Sequence, residues 1–259
     1  MIDENKNRPF DTPSKDDYWQ PIKARTLTDD VVDKIVEAAT RGYILPGDRI
    51  VEKEIAEKMN VSRVPVREAL RILESQCIVI NEPFKGIRMA PVSEERLDEL
   101  IEVRVLLELH VIRKFITGKK HLDNQCIEKL KECIDKMTMA AKLEDSYLFS
   151  LSDVNFHRTL CELSGNKTLT SLWENVSKQL TIIIGISTFT KPMEEIIQEH
   201  KVLLDKICAG DLPVLEKEIK EHIRNQNKKI NFNLAVDKKE INNFNKNILE
   251  YFFNPNIGL

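Results

Sequence analysis

The chain has 259 residues, 42% of them hydrophobic and 31% charged, the balance of a soluble globular protein, and its net charge of −3 does not by itself point to nucleic acid. That length suits one large domain or two modest ones, each able to bury a real core. Five cysteines at scattered positions, never spaced C-x-x-C, speak against a disulfide framework or thiolate zinc site and fit a reducing cytoplasm.

Residues 1–24 lack apolar periodicity and read as a flexible arm; being polar and acidic, they do not resemble a signal peptide. A first helix runs through Leu27, Val31, Val32, Ile35 and Ala39, and Gly42 and the turn Pro46-Gly47 follow. A short helix from about Glu52 to Met59 precedes Asn60-Val61-Ser62 and a further helix to about Ser75. Cys77–Ile80 and Ile87–Pro91 are β-prone runs on either side of a turn, a hairpin pattern. Three helices and a small hairpin make a winged helix-turn-helix unit over residues 25–92. From Ser93, a suitable N-cap, the pattern is helical only, at about 93–117, 122–142, 146–164, 167–187, 193–209 and 212–232. Breaks fall at Gly118, Gly165-Asn166, Pro192 and Gly210-Asp211. The longest apolar run, Ile182–Ile186 with its flanks, is too short to span a bilayer. The expected fold is mostly α: a winged helix, an all-α bundle over 93–232, and a C-terminal extension over 233–259.

In the third helix Ser62 suits an N-cap and Pro65 sits in the first turn, where a missing N–H costs nothing. Val66, Ala69, Leu70 and Leu73 form the apolar stripe, while Arg63, Arg67 and Arg71 repeat every four residues on another face. The major groove admits a helix, and arginine can donate two bonds to guanine. Residues 23–92 hold 12 Lys/Arg against 11 Asp/Glu, so charge for DNA must be concentrated on one face. The alternative is a solvated face with Glu68 and Glu74 as partners. GYILPGDRIVEKEIAEKMNVSRVPVREALRILE, followed by a hairpin ending KGIRMAPVS, resembles the DNA-binding domain of the GntR family of bacterial regulators. The resemblance implies base or phosphate contacts from Arg63 and Arg67, a backbone contact from Lys53, and a wing tip at Lys85-Gly86 near the minor groove. Arg71 continues the same face and Ser62 can meet a phosphate. The family usually has glycine where Cys77 stands, so either mild strain there or a different helix end is expected.

In the helical remainder Asp153 and His157 lie four apart, on one helix face, and His200 and His222 lie on two later helices. One carboxylate and three imidazoles could hold Zn²⁺, Ni²⁺ or Mn²⁺ with positions left open, although D-x-x-x-H alone is common on surfaces. DVNFHRTLCELSGNKTL and QEHKVLLDKICAGDLPVLEKEIKEHI resemble the FadR-type C-terminal (FCD) domain, whose metal-containing members bind through an Asp and three His, matching these four residues. Arg104 falls on the stripe of Leu97, Leu100, Ile101, Val111 and Phe115, and an arginine there needs an anion. That anion is either Glu108, at i+4, or a carboxylate effector lying between Arg104 and the metal. Cys161, Met137 and Met139 read as core.

These residues point to a cytoplasmic homodimeric regulator, a repressor by expectation, that binds a double-stranded DNA operator with imperfect palindromic symmetry and answers to a small organic acid. A pure metal-ion sensor is the alternative. A metal-dependent hydrolase ranks last, because no separate general base, nucleophile or phosphate loop is evident.

Overall fold

A computed structural model describes residues 26–91 and 93–227. The elements expected from the sequence match it closely in chain order: α1 Leu27–Thr40, α2 Glu52–Lys58, α3 Arg63–Ser75, β1 Val79–Glu82, β2 Gly86–Met89, then α4 Glu94–Thr117, α5 Asn124–Lys142, α6 Ser146–Leu163, α7 Lys167–Ser187, α8 Met193–Ala209 and α9 Leu212–Asn227. The expected arm at 1–24, the last residues of the expected 212–232 helix and the extension from 233 lie outside the described residues.

α1 begins with a reciprocal cap, Thr26 Oγ1 accepting from the Asp29 amide at 3.2 Å and Asp29 from the Thr26 amide at 3.0 Å. Its apolar face, Val31, Val32, Ile35 and Ala39, meets Val66, Ala69, Leu70 and Leu73 of α3 in one core. β1 and β2 pair antiparallel with Val79 opposite Met89 and Glu82 opposite Gly86, and β1 begins two residues later than the β-prone run suggested. The reason is Cys77, which ends α3 in a left-handed turn at φ 56°, where its amide donates to Glu74 and that of Ile78 to Leu73. The strain foreseen at that glycine-like position is therefore present. Residues 47–50 join the edge of the hairpin through Gly47 N–H to Met89 O and Ile50 N–H to Ile87 O.

The remaining six helices close around a second core. α5 packs on α6, α6 on α7, α4 on α9 and α8 on both α5 and α9. Ser93 caps α4 by accepting from the Arg96 amide, as its position suggested. Within this core Met137 and Cys161 are fully buried, but Met139 is 64% exposed and is corrected from the core assignment: two residues apart on a helix, Met137 and Met139 face nearly opposite ways.

The two cores are not separate. Ile182 and Ile186 of α7 belong to the core of the winged helix. Beside them Gly185 lets α7 press against the end of α1, since a Cβ at that position would lie 2.2 Å from Thr40 Cγ2. Arg41, just past α1, also pairs with Asp145, the N-cap of α6, at 2.9 Å.

Candidate metal centre and nucleic-acid interface

In α3 the stripe Val66, Ala69, Leu70 and Leu73 is at most 1% exposed, which turns Arg63, Arg67 and Arg71 to solvent. Ser62 occupies the N-cap position, yet its side chain makes no capping bond, so the hydroxyl and first-turn amides can face a phosphate. Arg67 pairs with Glu52 of α2 at 3.2 Å and Arg71 with Glu68 at 2.9 Å; Arg63 has no ion-pair partner among the described residues. Glu52 was not among the partners that sequence spacing suggested, because it lies on a different helix. Exposed pairs of this kind are weak in water, so both arginines can exchange a carboxylate for a nucleic-acid acceptor. Lys53 projects from the start of α2, with Glu57 at 3.7 Å. Lys85 is exposed on the wing beside Phe84, whose side chain stands fully in solvent at a positive φ of 64°, and Gly86 follows at φ 80°. Phe84 was missed in the sequence, where an aromatic in a turn carries no signal of its own.

The second site is buried. α6 carries Asp153 and His157 on its inner face, α8 carries His200 and α9 His222, and none of the four is more than 3% exposed. His157 Nε2 lies 3.3 Å from Nε2 of both His200 and His222. Asp153 flanks them, 3.5 Å from His200 Nε2 and 4.0 Å from His157 Nε2. The structure thus brings together the four residues that the spacing singled out.

Two of the rings have their outer nitrogens fixed. His157 Nδ1 lies 2.6 Å from Glu108 Oε2, and His200 Nδ1 lies 2.9 Å from the Ile196 carbonyl. A carboxylate and a carbonyl only accept, so each Nδ1 holds a proton, and in the neutral ring each Nε2 then presents a lone pair inward. Burial pushes the His200 imidazole down to about 4 and His222 well below its ordinary range, so both are neutral near pH 7. Two facing lone pairs at 3.3 Å cannot hydrogen-bond. A divalent ion with nitrogens at about 2.0–2.1 Å in tetrahedral-type coordination spaces them about 3.3 Å apart. The residues therefore fit a metal ion: each Nε2 would supply a ligand atom, Asp153 a fourth, and the outer contacts orient the rings.

Arg104 is 1% exposed and donates from Nε to Glu108 Oε1 at 2.6 Å. Glu108, one of the two anions weighed for it, is thus within hydrogen-bond distance. Glu108 thereby joins Arg104 to His157, and its contact with His157, 49 residues away, is one that spacing could not show. Burial would raise its carboxyl, but His157 and Arg104 outweigh that and hold it below the usual carboxylate range. Trp173 closes this side, its ring centroid 5.7 Å from Arg104 Cζ and 6.0 Å from the His157 ring.

A winged helix with an exposed arginine face, joined to a helical bundle with a buried histidine centre, defines a DNA-binding transcriptional regulator. Residues 27–89 match the family model described as bacterial regulatory proteins, gntR family, and residues 99–225 match that of the FCD domain. The chain belongs to the GntR family, in the branch carrying an FCD domain. Among its relatives, a probable D-xylose utilization operon transcriptional repressor of Paenarthrobacter nicotinovorans is 25% identical over 76% of this chain and 86% of its own length. The gluconate operon transcriptional repressor of Bacillus subtilis is 29% identical over 66% of this chain and 71% of its own. The solved structure of Escherichia coli McbR/YncC has the same fold, with a TM-score of 0.63 at 23% identity, covering 85% of this chain and all of that one. The relatives are transcriptional regulators, not enzymes. No helix among the described residues is long and apolar enough to cross a membrane.

Proposed function

We propose that the chain is a homodimeric repressor whose operator affinity is controlled by a small carboxylate bound at a metal ion held by Asp153, His157, His200 and His222. The observation that carries this reading is the inward convergence of three Nε2 atoms, two of them with the proton fixed on the far nitrogen. Zn²⁺, Ni²⁺ and Mn²⁺ all suit imidazole and carboxylate donors. A metal-bound carboxylate would sit near the side chains of α6, whose N-terminus is tied to Arg41 at the end of α1, giving a physical route from ligand to the DNA-binding head. One relative is named for a gluconate operon, and gluconate is a small carboxylate, which supports the same ligand class. The near-complete burial of all four donors favours a second reading, in which the ion itself is the signal. Operator titrations with metal alone and with metal plus a panel of organic acids separate the two. Metal alone moving the affinity, with no further effect of any acid, would establish the second.

The DNA side makes its own prediction. Arg67→Ala should weaken operator binding about tenfold to a hundredfold and relax base preference if Arg67 leaves Glu52 for a guanine edge. Lys53→Ala should weaken all sequences alike and flatten the salt dependence. Titrations at two salt concentrations in which both variants match the parent would contradict this placement of α2 and α3.

A single winged helix makes few base contacts, so two half-sites related by a two-fold axis are expected. Exposed Val103 and Leu106 of α4 and Leu172 of α7 supply apolar surface for a second subunit. Light scattering should give a dimer for the parent and a monomer for Leu106→Glu; a parent monomeric at micromolar concentration, with and without DNA, would refute the dimer.

A further inference from the structure

The charged groups of the buried centre can be counted. Arg104, Glu108 and Asp153 are each at most 2% exposed, and the three histidines at most 3%. Glu108 accepts from both Arg104 Nε and His157 Nδ1, the pattern of an ionised carboxylate. Metal ligation through Nε2 keeps each imidazole neutral. One guanidinium and two carboxylates leave the protein part at −1. A divalent ion brings it to +1. Lys191, the other buried cation among the described residues, does not alter this count, because both carboxylate oxygens of Glu199 lie 2.7 Å from its Nζ.

We propose that Glu108 sets the valence of the effector: by cancelling the charge of Arg104 it leaves the metal-loaded centre with one uncompensated positive charge, matched by a monocarboxylate rather than a di- or tricarboxylate. The proposal rests on the carboxylate-effector reading above and names the ligand class within it. It also changes the part played by Arg104. In this reading Arg104 contributes its charge, which Glu108 balances at 2.6 Å, and the ion is the direct anchor. Burial is what makes the count matter, because uncompensated charge sealed from water is not screened as it would be on a surface.

The test compares acids matched in carbon number, propionate with malonate and butyrate with succinate, by calorimetry on the full-length, metal-loaded protein. Metal content is measured in parallel. The parent should bind each monocarboxylate about tenfold or more tightly than its dicarboxylate partner. Glu108→Gln raises the loaded centre to +2 and should reverse that order. The double variant Arg104→Gln/Glu108→Gln returns the count to +1 and should restore the preference for monocarboxylates, although both side chains have been replaced. A Glu108→Gln protein that keeps its metal and the parent's order of preference overturns the proposal. Should the single variant fail to fold, the double variant decides the matter, since removing both members of a buried pair is better tolerated than removing one. A metal-loaded double variant that prefers dicarboxylates, or binds neither kind, refutes the charge count. If the parent itself binds no acid of either valence, the carboxylate-effector reading falls, and this proposal with it; bound acids with an unshifted order sink the role of Glu108 alone.

Discussion

His157→Ala is expected to empty the metal centre and to destabilise the protein by roughly 2–4 kcal/mol, the larger loss of any single ligand substitution. His157 is the middle of the three rings, its Nε2 3.3 Å from both of the others, so its removal leaves His200 and His222 without the nitrogen that they share. The same substitution takes from Glu108 one of its two donors, leaving a fully buried carboxylate held by Arg104 alone. Metal affinity should fall by more than about 100-fold, beyond the loss typical of a residue that merely supports a ligand. His222→Ala offers the contrast. Its Nδ1 has no hydrogen-bond partner among the described residues, so the ion should be weakened with a smaller cost to the fold. Metal analysis paired with chemical denaturation checks both. A His157→Ala protein with full metal content would show that the ion is held elsewhere.

The second large effect is expected at Gly185→Ala. The added Cβ would meet Thr40 Cγ2 at 2.2 Å, the Thr40 carbonyl oxygen at 2.7 Å and Ser150 Oγ at 3.2 Å. Two helices must part to admit it, at a cost of about 1–3 kcal/mol or more. Thr40→Ala in the same chain should restore only part of the loss. It removes the methyl group, but the carbonyl oxygen belongs to the backbone, and the bond from Thr40 Oγ1 to Val36 O at 2.7 Å goes too. Denaturation midpoints measure this directly, and a change within 0.5 kcal/mol would mean that α1 and α7 are not pressed together in solution.

Local chemistry was the part of this molecule that could be read from its residues. The arginine face of α3 follows from four-residue spacing against a buried stripe, and Asp153 and His157 share a face for the same reason. That His200 and His222 converge on them depends on how α8 and α9 pack, and there the family resemblance supplied what spacing alone does not. Arg104 with Glu108 was legible as an i,i+4 pair. The second bond of Glu108, to His157, was not, because it joins α4 to α6 across the bundle. Met139 could have been excluded from the core by its distance of two residues from Met137. The apolar run Ile182–Ile186 marks a buried helix but holds no sign of which core it enters, so the joining of the two units stayed hidden.

That joining bears on engineering. GntR-type regulators invite the grafting of one protein's reading head onto another's bundle, as if the parts were interchangeable. Here Ile182 and Ile186 complete the interior of the head, and the surface that receives them is shaped by Thr40 against a residue with no side chain. A chimaera cut in the short connection before α4 would leave that interior facing a foreign helix. Transplanting the head of this protein calls for carrying the matching residues of α7 along with it, so the unit to exchange is discontinuous in the chain.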